Sequence, residues 1–117
     1  MIMESSRKTY LFVCLANMDR SPTAASVFQG LARSKGLDIH VMSAGISGWA
    51  VRPLNNDILK KADLIFVMES YMKSEIESIF SVEPGKIIVL GIPDIYDRDD
   101  PVLVKILREN LEPYIEG

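Results

Sequence analysis

Short apolar runs alternate with longer apolar stripes along this chain. Tyr10–Cys14, Asp63–Met68 and Ile87–Leu90 are brief, nearly continuous apolar segments bounded by polar, Gly or Pro residues. That pattern predicts strands covered on both faces, and such strands pair in parallel. Ile39 and Val41 instead alternate with Asp38, His40 and Met42, as in a less buried strand near a sheet edge. Apolar residues at helical spacing recur in three places: Ala24, Val27, Phe28 and Leu31; Met72, Ile76, Ile79 and Phe80; and Leu103, Ile106, Leu107, Leu111 and Tyr114. Ser21-Pro22 and Asp100-Pro101 each read as an N-cap followed by proline at the first helical position, and Gly36 suits the end of the first helix. A short, weaker helix is expected near Asn55–Lys61. Strand then alternates with helix throughout. The predicted fold is an α/β three-layer sandwich, a four-stranded parallel sheet with helices on both faces and right-handed crossovers.

Length sets the number of domains. At 117 residues, 48% of them hydrophobic, the chain fills one compact domain, assigned to 10–117, behind a short polar tail over 1–9. Thirteen Lys+Arg against sixteen Asp+Glu give a net charge of −3, so no overall field draws nucleic acid or an anionic membrane, and any anion site must be local. No apolar run approaches the roughly 20 residues of a membrane span. The single cysteine, Cys14, excludes an intrachain disulfide framework or a multi-thiolate metal site and points to a reducing, cytoplasmic setting. Neither a cofactor nor a metal is expected, and the oligomeric state is set at monomer or weak dimer.

In an open parallel sheet, ligands bind beyond the carboxyl ends of the strands. The loop after the first strand reads Cys14-Leu15-Ala16-Asn17-Met18-Asp19-Arg20-Ser21-Pro22. A cysteine at the strand tip, five residues, an arginine and a helix start wrap backbone N–H groups around a small dianion, aided by the helix dipole and the guanidinium. The same positive surroundings favour thiolate at Cys14. Asn17 tolerates the left-handed backbone that a tight nest needs. A lone cysteine ending a strand is ordinarily just a small buried hydrophobe, and the adjoining arginine and helix start weigh against that reading here. Ser21 reads as an N-cap, as a hydroxyl donor to the thiolate, or as both.

These residues resemble the low-molecular-weight protein tyrosine phosphatases, whose loop runs Cys-x-x-Asn-x-x-Arg-Ser-Pro, here Cys14, Asn17, Arg20, Ser21 and Pro22. The resemblance continues through Thr23-Ala24-Ala25, Ser43-Ala44-Gly45 and Ala62-Asp63-Leu64-Ile65, and spans nearly everything from Tyr10 onward. It implies a phosphatase/flavodoxin-like topology and a phosphocysteine mechanism without metal. In that mechanism Cys14 attacks phosphorus, Arg20 and the amides of Leu15 to Ser21 hold the phosphate, Asn17 shapes the loop, Ser21 stabilises the thiolate, and an aspartate protonates the leaving phenol. Its implied partner is a phosphotyrosine protein or a small aryl phosphate.

Four aspartates after the last strand compete for the acid: Asp94, Asp97, Asp99 and Asp100. The family's acid precedes a proline, as Asp100 does, but Asp100-Pro101 abuts the last helical stripe and reads as its cap. Ile92-Pro93-Asp94-Ile95-Tyr96 matches the family's placement of the acid close to an aromatic, so Asp94 is chosen. Trp49 and Tyr96 are the candidate aromatic walls for a phenyl ring, with burial over the core as the bland alternative for the tryptophan.

Two departures from the family stand out. Asp19 occupies a position that many members fill with an apolar residue or a second cysteine, and weakened phosphate affinity is the expected consequence. The stretch between Trp49 and Ala62 is shorter than usual, and the block Ile92–Leu107 resembles a compact subgroup of the family with the same shortened middle. The rival readings are arsenate reduction by an external thiol, since one cysteine cannot run an internal relay, and a catalytically weak phosphate or phosphotyrosine-binding module. His40 has no evident catalytic partner.

Overall fold

The computed structural model describes residues 7–116. Residues 1–6 of the expected tail lie outside them. Four parallel strands form one sheet in the order β2-β1-β3-β4: β1 (Lys8–Cys14), β2 (Ile39–Gly45), β3 (Leu64–Val67) and β4 (Ile87–Val89). The helices are α1 (Arg20–Ser34), α2 (Asn56–Lys61), α3 (Ser70–Ile79) and α4 (Pro101–Glu116). The predicted α/β sandwich is therefore the observed fold. β2 takes the edge, as its alternation required.

β1 begins inside the segment read as tail. Lys8 and Thr9 pair with Ile39 and His40, and the Thr9 amide donates to Asp63 Oδ2 at 2.7 Å while the Asp63 amide donates back to the Thr9 carbonyl. Backbone pairing extends a strand past its apolar residues, which hydropathy does not report. β3 and β4 are each a little shorter than predicted.

Aromatic rings join the sheet to two helices. Tyr10 and Phe12 of β1, Phe66 of β3, Phe28 of α1 and Tyr114 of α4 form one cluster, with Phe12 and Phe66 stacked at 4.9 Å and Tyr114 edge-on to Phe66 at 5.0 Å. Such pairs stabilise beyond the area they bury. α1 lies against β1, β2 and α4, whereas α3 lies against β3 and β4. On α3, Met72 and Ile76 are buried, but Ile79 is exposed where the helix ends.

The helix ends follow local chemistry, with one correction. α1 closes as predicted at Gly36, which has φ +68°: the Leu37 amide donates to Ala32 O and the Gly36 amide to Arg33 O. α4 starts as predicted, with Asp100 Oδ1 accepting from the Val102 amide at 2.8 Å, and α2 starts with Asn55 Oδ1 accepting from Ile58. α1, however, begins at Arg20, not after Ser21. Asp19 takes the cap position without a side-chain cap, Ser21 lies within the first turn, and Pro22 is accommodated because first-turn N–H groups have no intrahelical partner.

The strand order turns back between β1 and β3. The chain moves outward from β1 to β2, then returns past β1 to β3 and β4, so a crevice opens at the carboxyl ends of β1 and β3. Cys14 ends β1, and Met68-Glu69 follow β3.

Candidate active site

The loop after β1 is a concave run of backbone whose carbonyls are tied outward. Cys14 O accepts from the Ile46 amide at 2.9 Å, Leu15 O from Ser47 at 3.0 Å and Ala16 O from Val51 at 3.0 Å. A trans peptide points its N–H opposite to its C=O, so the amides of Leu15, Ala16 and Asn17 face the other way, toward the thiol. The Asn17 amide confirms the direction by donating to Cys14 Sγ at 3.2 Å.

Asn17 makes the turn at φ 58°, as expected of a residue that tolerates left-handed backbone. Its side chain is buried and donates to Ser21 Oγ and Ser43 Oγ, each at 2.9 Å. Ser21 Oγ lies 3.1 Å from Cys14 Sγ. Of the two roles read for Ser21, only the contact with the thiol is present. Gly45 allows the loop to sit this close to β2: a Cβ there would come within 2.4 Å of Ala50 Cβ and 2.8 Å of Leu15 O.

Arg20 is 2% exposed. Its Nη1 donates to Glu69 Oε1 at 2.6 Å and to Ile92 O at 2.7 Å, and its Nε lies 3.6 Å from Asp94 Oδ1. A buried guanidinium needs such partners, since desolvation without pairing is costly. Arg20 thereby joins the ends of β1, β3 and β4. Nearby Tyr71 has its phenol pushed above the ordinary tyrosine value by partial burial and then by the Glu69 carboxylate, with Arg20 pulling the other way.

A cavity of about 180 Å³ opens over the thiol. Cys14, Leu15, Ala16, Met18, Asp19, Arg20, Trp49 and Asp94 line it. Trp49 is 73% exposed, so it does not cover the core, and it lines this cavity. Tyr96 departs from expectation: it is partly buried against the core and is absent from this lining. The loop turns at Ile95, whose side chain is 73% exposed, and directs the following tyrosine inward. Asp97, Asp99 and Asp100 line no part of the cavity; Asp100 caps α4, and Asp99 takes a left-handed turn with φ 63°. Asp19 borders the cavity, but its Oδ1 accepts from the Arg98 amide at 3.0 Å.

Glu69 and Ser43 were not singled out from sequence as functional. Glu69 was findable, because it follows the strand that meets β1 at the topological reversal, where ligands bind. Among the described residues no group of three or more His, Cys, Asp or Glu side chains is arranged to hold a metal ion, and no helix is long and apolar enough to cross a membrane.

A thiol at the centre of an amide nest, backed by a buried arginine, is the arrangement of a cysteine-dependent phosphatase. Comparison with known proteins agrees. Residues 9–57 match the family model described as low molecular weight phosphotyrosine protein phosphatase. A probable low molecular weight protein-tyrosine-phosphatase, EpsP of Ralstonia nicotianae, is 32% identical over an alignment of 117 positions covering 80% of this chain and 78% of that protein. The protein-arginine-phosphatase of Bacillus subtilis is 27% identical, over 85% of this chain and 91% of that one. The crystal structure of YfkJ from Bacillus subtilis shares the fold, with a TM-score of 0.79 at 24% identity over 97% of this chain and 96% of its own. The chain belongs to the low molecular weight protein-tyrosine-phosphatase family and is a cysteine phosphatase.

Proposed function

We propose that this protein hydrolyses phosphotyrosine and other aryl phosphate monoesters, with Cys14 as nucleophile, Arg20 and the loop amides as the phosphate cradle, and Asp94 as general acid. The observation that carries this reading is the thiol flanked by the Asn17 amide and the Ser21 hydroxyl, in a cavity lined also by Arg20, Trp49 and Asp94. Both contacts can donate to a thiolate, which is the attacking form.

In the first step Sγ bonds to phosphorus as the phosphorus–oxygen bond to the phenol breaks, and Asp94 in its acid form gives the leaving oxygen a proton. In the second, water attacks the phosphocysteine, its proton passes to the Asp94 carboxylate, and the phosphorus–sulfur bond breaks to return the thiolate and inorganic phosphate. The inward amides and the guanidinium are fixed beforehand, so charge on the transferring phosphoryl oxygens is met without reorganisation. Trp49 offers a ring face to a planar leaving group.

A second reading, action on phosphoarginine, draws on the Bacillus subtilis relative and on the two carboxylates, Asp19 and Asp94, that border the cavity and suit a guanidinium. The test is phosphate release without added metal from a phosphotyrosine peptide and from a phosphoarginine peptide, wild type beside Cys14→Ser. We expect the phosphotyrosine peptide to lead by at least about tenfold in kcat/KM, and Cys14→Ser to lose at least about a thousandfold. The reverse preference favours the second reading. Phosphate bound without turnover of either peptide overturns both, in favour of a binding module or thiol-assisted arsenate reduction.

A further inference from the structure

The segment that carries Asp94 is fastened at two points, both to the start of α1. At its beginning, Arg20 Nη1 holds the Ile92 carbonyl at 2.7 Å, while the Ile92 amide donates to Met68 O at 2.8 Å. At its end, Asp19 Oδ1 accepts from the Arg98 amide at 3.0 Å, and Thr23 Oγ1 accepts from the Asp99 amide at 2.9 Å. The Thr23 hydroxyl proton goes to the Asp19 carbonyl at 2.8 Å, so both acceptors belong to one helix turn. Between the two fastenings Tyr96 packs partly against the core, while Asp94 and Ile95 beside it are exposed.

We propose that Asp19 is a positioning residue for the general acid, its carboxylate, with Thr23 beside it, pinning the far end of the 92–99 segment so that Asp94 stays over the leaving-group oxygen. The proposal rests on the assignment of Asp94 as that acid. It accounts for a carboxylate bordering an anion site, because Asp19 spends its charge on a backbone donor, where a charge-assisted bond is stronger than a neutral one. It also explains why Asp99 adopts left-handed backbone: that turn presents its amide, next to the Arg98 amide, to α1. Released at this end, the segment would lose its hold on α1 beyond Ile92 and be kept only by Tyr96 against the core and by the start of α4, and a displacement of about 1 Å is enough to weaken proton transfer strongly.

The experiment is kcat/KM, which reports formation of the phosphoenzyme, for p-nitrophenyl phosphate and for phenyl phosphate. The phenolate released from the second is far more basic and depends on the acid, while the first scarcely does. Asp94→Asn, the reference, is expected to lose about a hundredfold on phenyl phosphate and much less on p-nitrophenyl phosphate. Asp19→Ala is expected to show the same slope in weaker form, about tenfold on phenyl phosphate and about twofold or less on p-nitrophenyl phosphate. Asp19→Asn, which keeps an oxygen acceptor, should recover most of the phenyl phosphate loss. Thr23→Val carries the same test should Asp19→Ala not fold. Equal losses on the two substrates in Asp19→Ala, or a gain in both, overturn the proposal and assign Asp19 to the phosphate cradle. A flat slope in Asp94→Asn overturns the acid assignment itself, and the proposal with it.

Discussion

Two loops at the same end of the sheet perform the proposed reaction, and they are built in opposite ways. The loop from Cys14 to Arg20 is buried at its functional points and tied by backbone bonds at nearly every step: Cys14 is 3% exposed, Asn17 6% and Arg20 2%. The segment from Ile92 to Asp99 is pinned at its ends and, Tyr96 apart, open between, with the Asp94 side chain 61% exposed. The phosphoryl group is the same in every substrate, so its cradle gains from rigidity, since preorganised donors cost nothing to align during reaction. Leaving groups differ, and the acid must follow them. Fixed parts meet what is constant, and open parts meet what varies.

The comparison breaks first at Arg20. Arg20→Lys keeps the charge but offers one compact ammonium in place of a planar fork that serves Glu69, Ile92 O and a phosphate together. We expect kcat/KM to fall at least about a hundredfold, equally for good and poor leaving groups, together with weaker competition by inorganic phosphate. That flat profile is opposite to the steep one expected of variants on the open segment. A steep profile for Arg20→Lys, measured across the same two aryl phosphates, would merge the loops into one functional unit.

A smaller effect is expected at Gly45, which touches no substrate. Its φ is ordinary, so strain plays no part; the constraint is space, since an added Cβ meets Ala50 Cβ at 2.4 Å and Leu15 O at 2.8 Å. Gly45→Ala must push the cradle away from β2, at about 1–3 kcal/mol for overpacking and with about a tenfold loss in kcat/KM from misplaced amides. Adding Ala50→Gly removes the nearest contact and should restore stability more than activity, because Leu15 O still conflicts. Urea unfolding beside kinetics separates the two quantities. An unaltered kcat/KM in Gly45→Ala would show the cradle to be less rigid than its bonds imply.

The fixed loop was legible in the sequence for the same reason that it is rigid: its determinants are local. Cys14, Asn17 and Arg20 stand at set offsets, and each needs its neighbours in the chain. The strand pattern, the short helix near Asn55–Lys61 and the cap at Asp100 are likewise local signals, and so is Gly36. What sequence could not reach was pairing across the fold. Glu69 meets Arg20 only because the strand order reverses between β1 and β3, and Ser43 meets Asn17 only because β2 pairs with β1 in register. Ser21 is only half legible, since its place in the first turn of α1 depends on a helix start two residues earlier than proline suggests. Tyr96 packs against the core and does not line the cavity, a direction that hydropathy does not give for a loop side chain. Asp19 drew attention as a charge in the wrong place, and its partner lies 79 residues on.

The finest test uses Tyr71, which feels both loops. Its phenol is raised by partial burial first, then by Glu69, while Arg20 lowers it and Asp94 comes last among the contributors. A raised phenol binds its proton more tightly in the folded chain than in the unfolded one, so it contributes nothing to the slope below the unfolded pKa of about 10 and destabilises the fold as pH climbs past it. Ultraviolet titration of the phenolate should therefore find Tyr71 ionising later than an exposed tyrosine, with Tyr71→Phe identifying its share of the signal. Glu69→Gln should move that ionisation down further than Asp94→Asn does, because a carboxylate held against Arg20 stays near the phenol and one on an open segment is screened by water. The effect on stability is small, since the ring is 43% exposed, but the order of the two shifts ranks the neighbours by how firmly each is held. Equal shifts would mean that Asp94 is as fixed as Glu69, and the contrast between cradle and acid would then lie in chemistry alone.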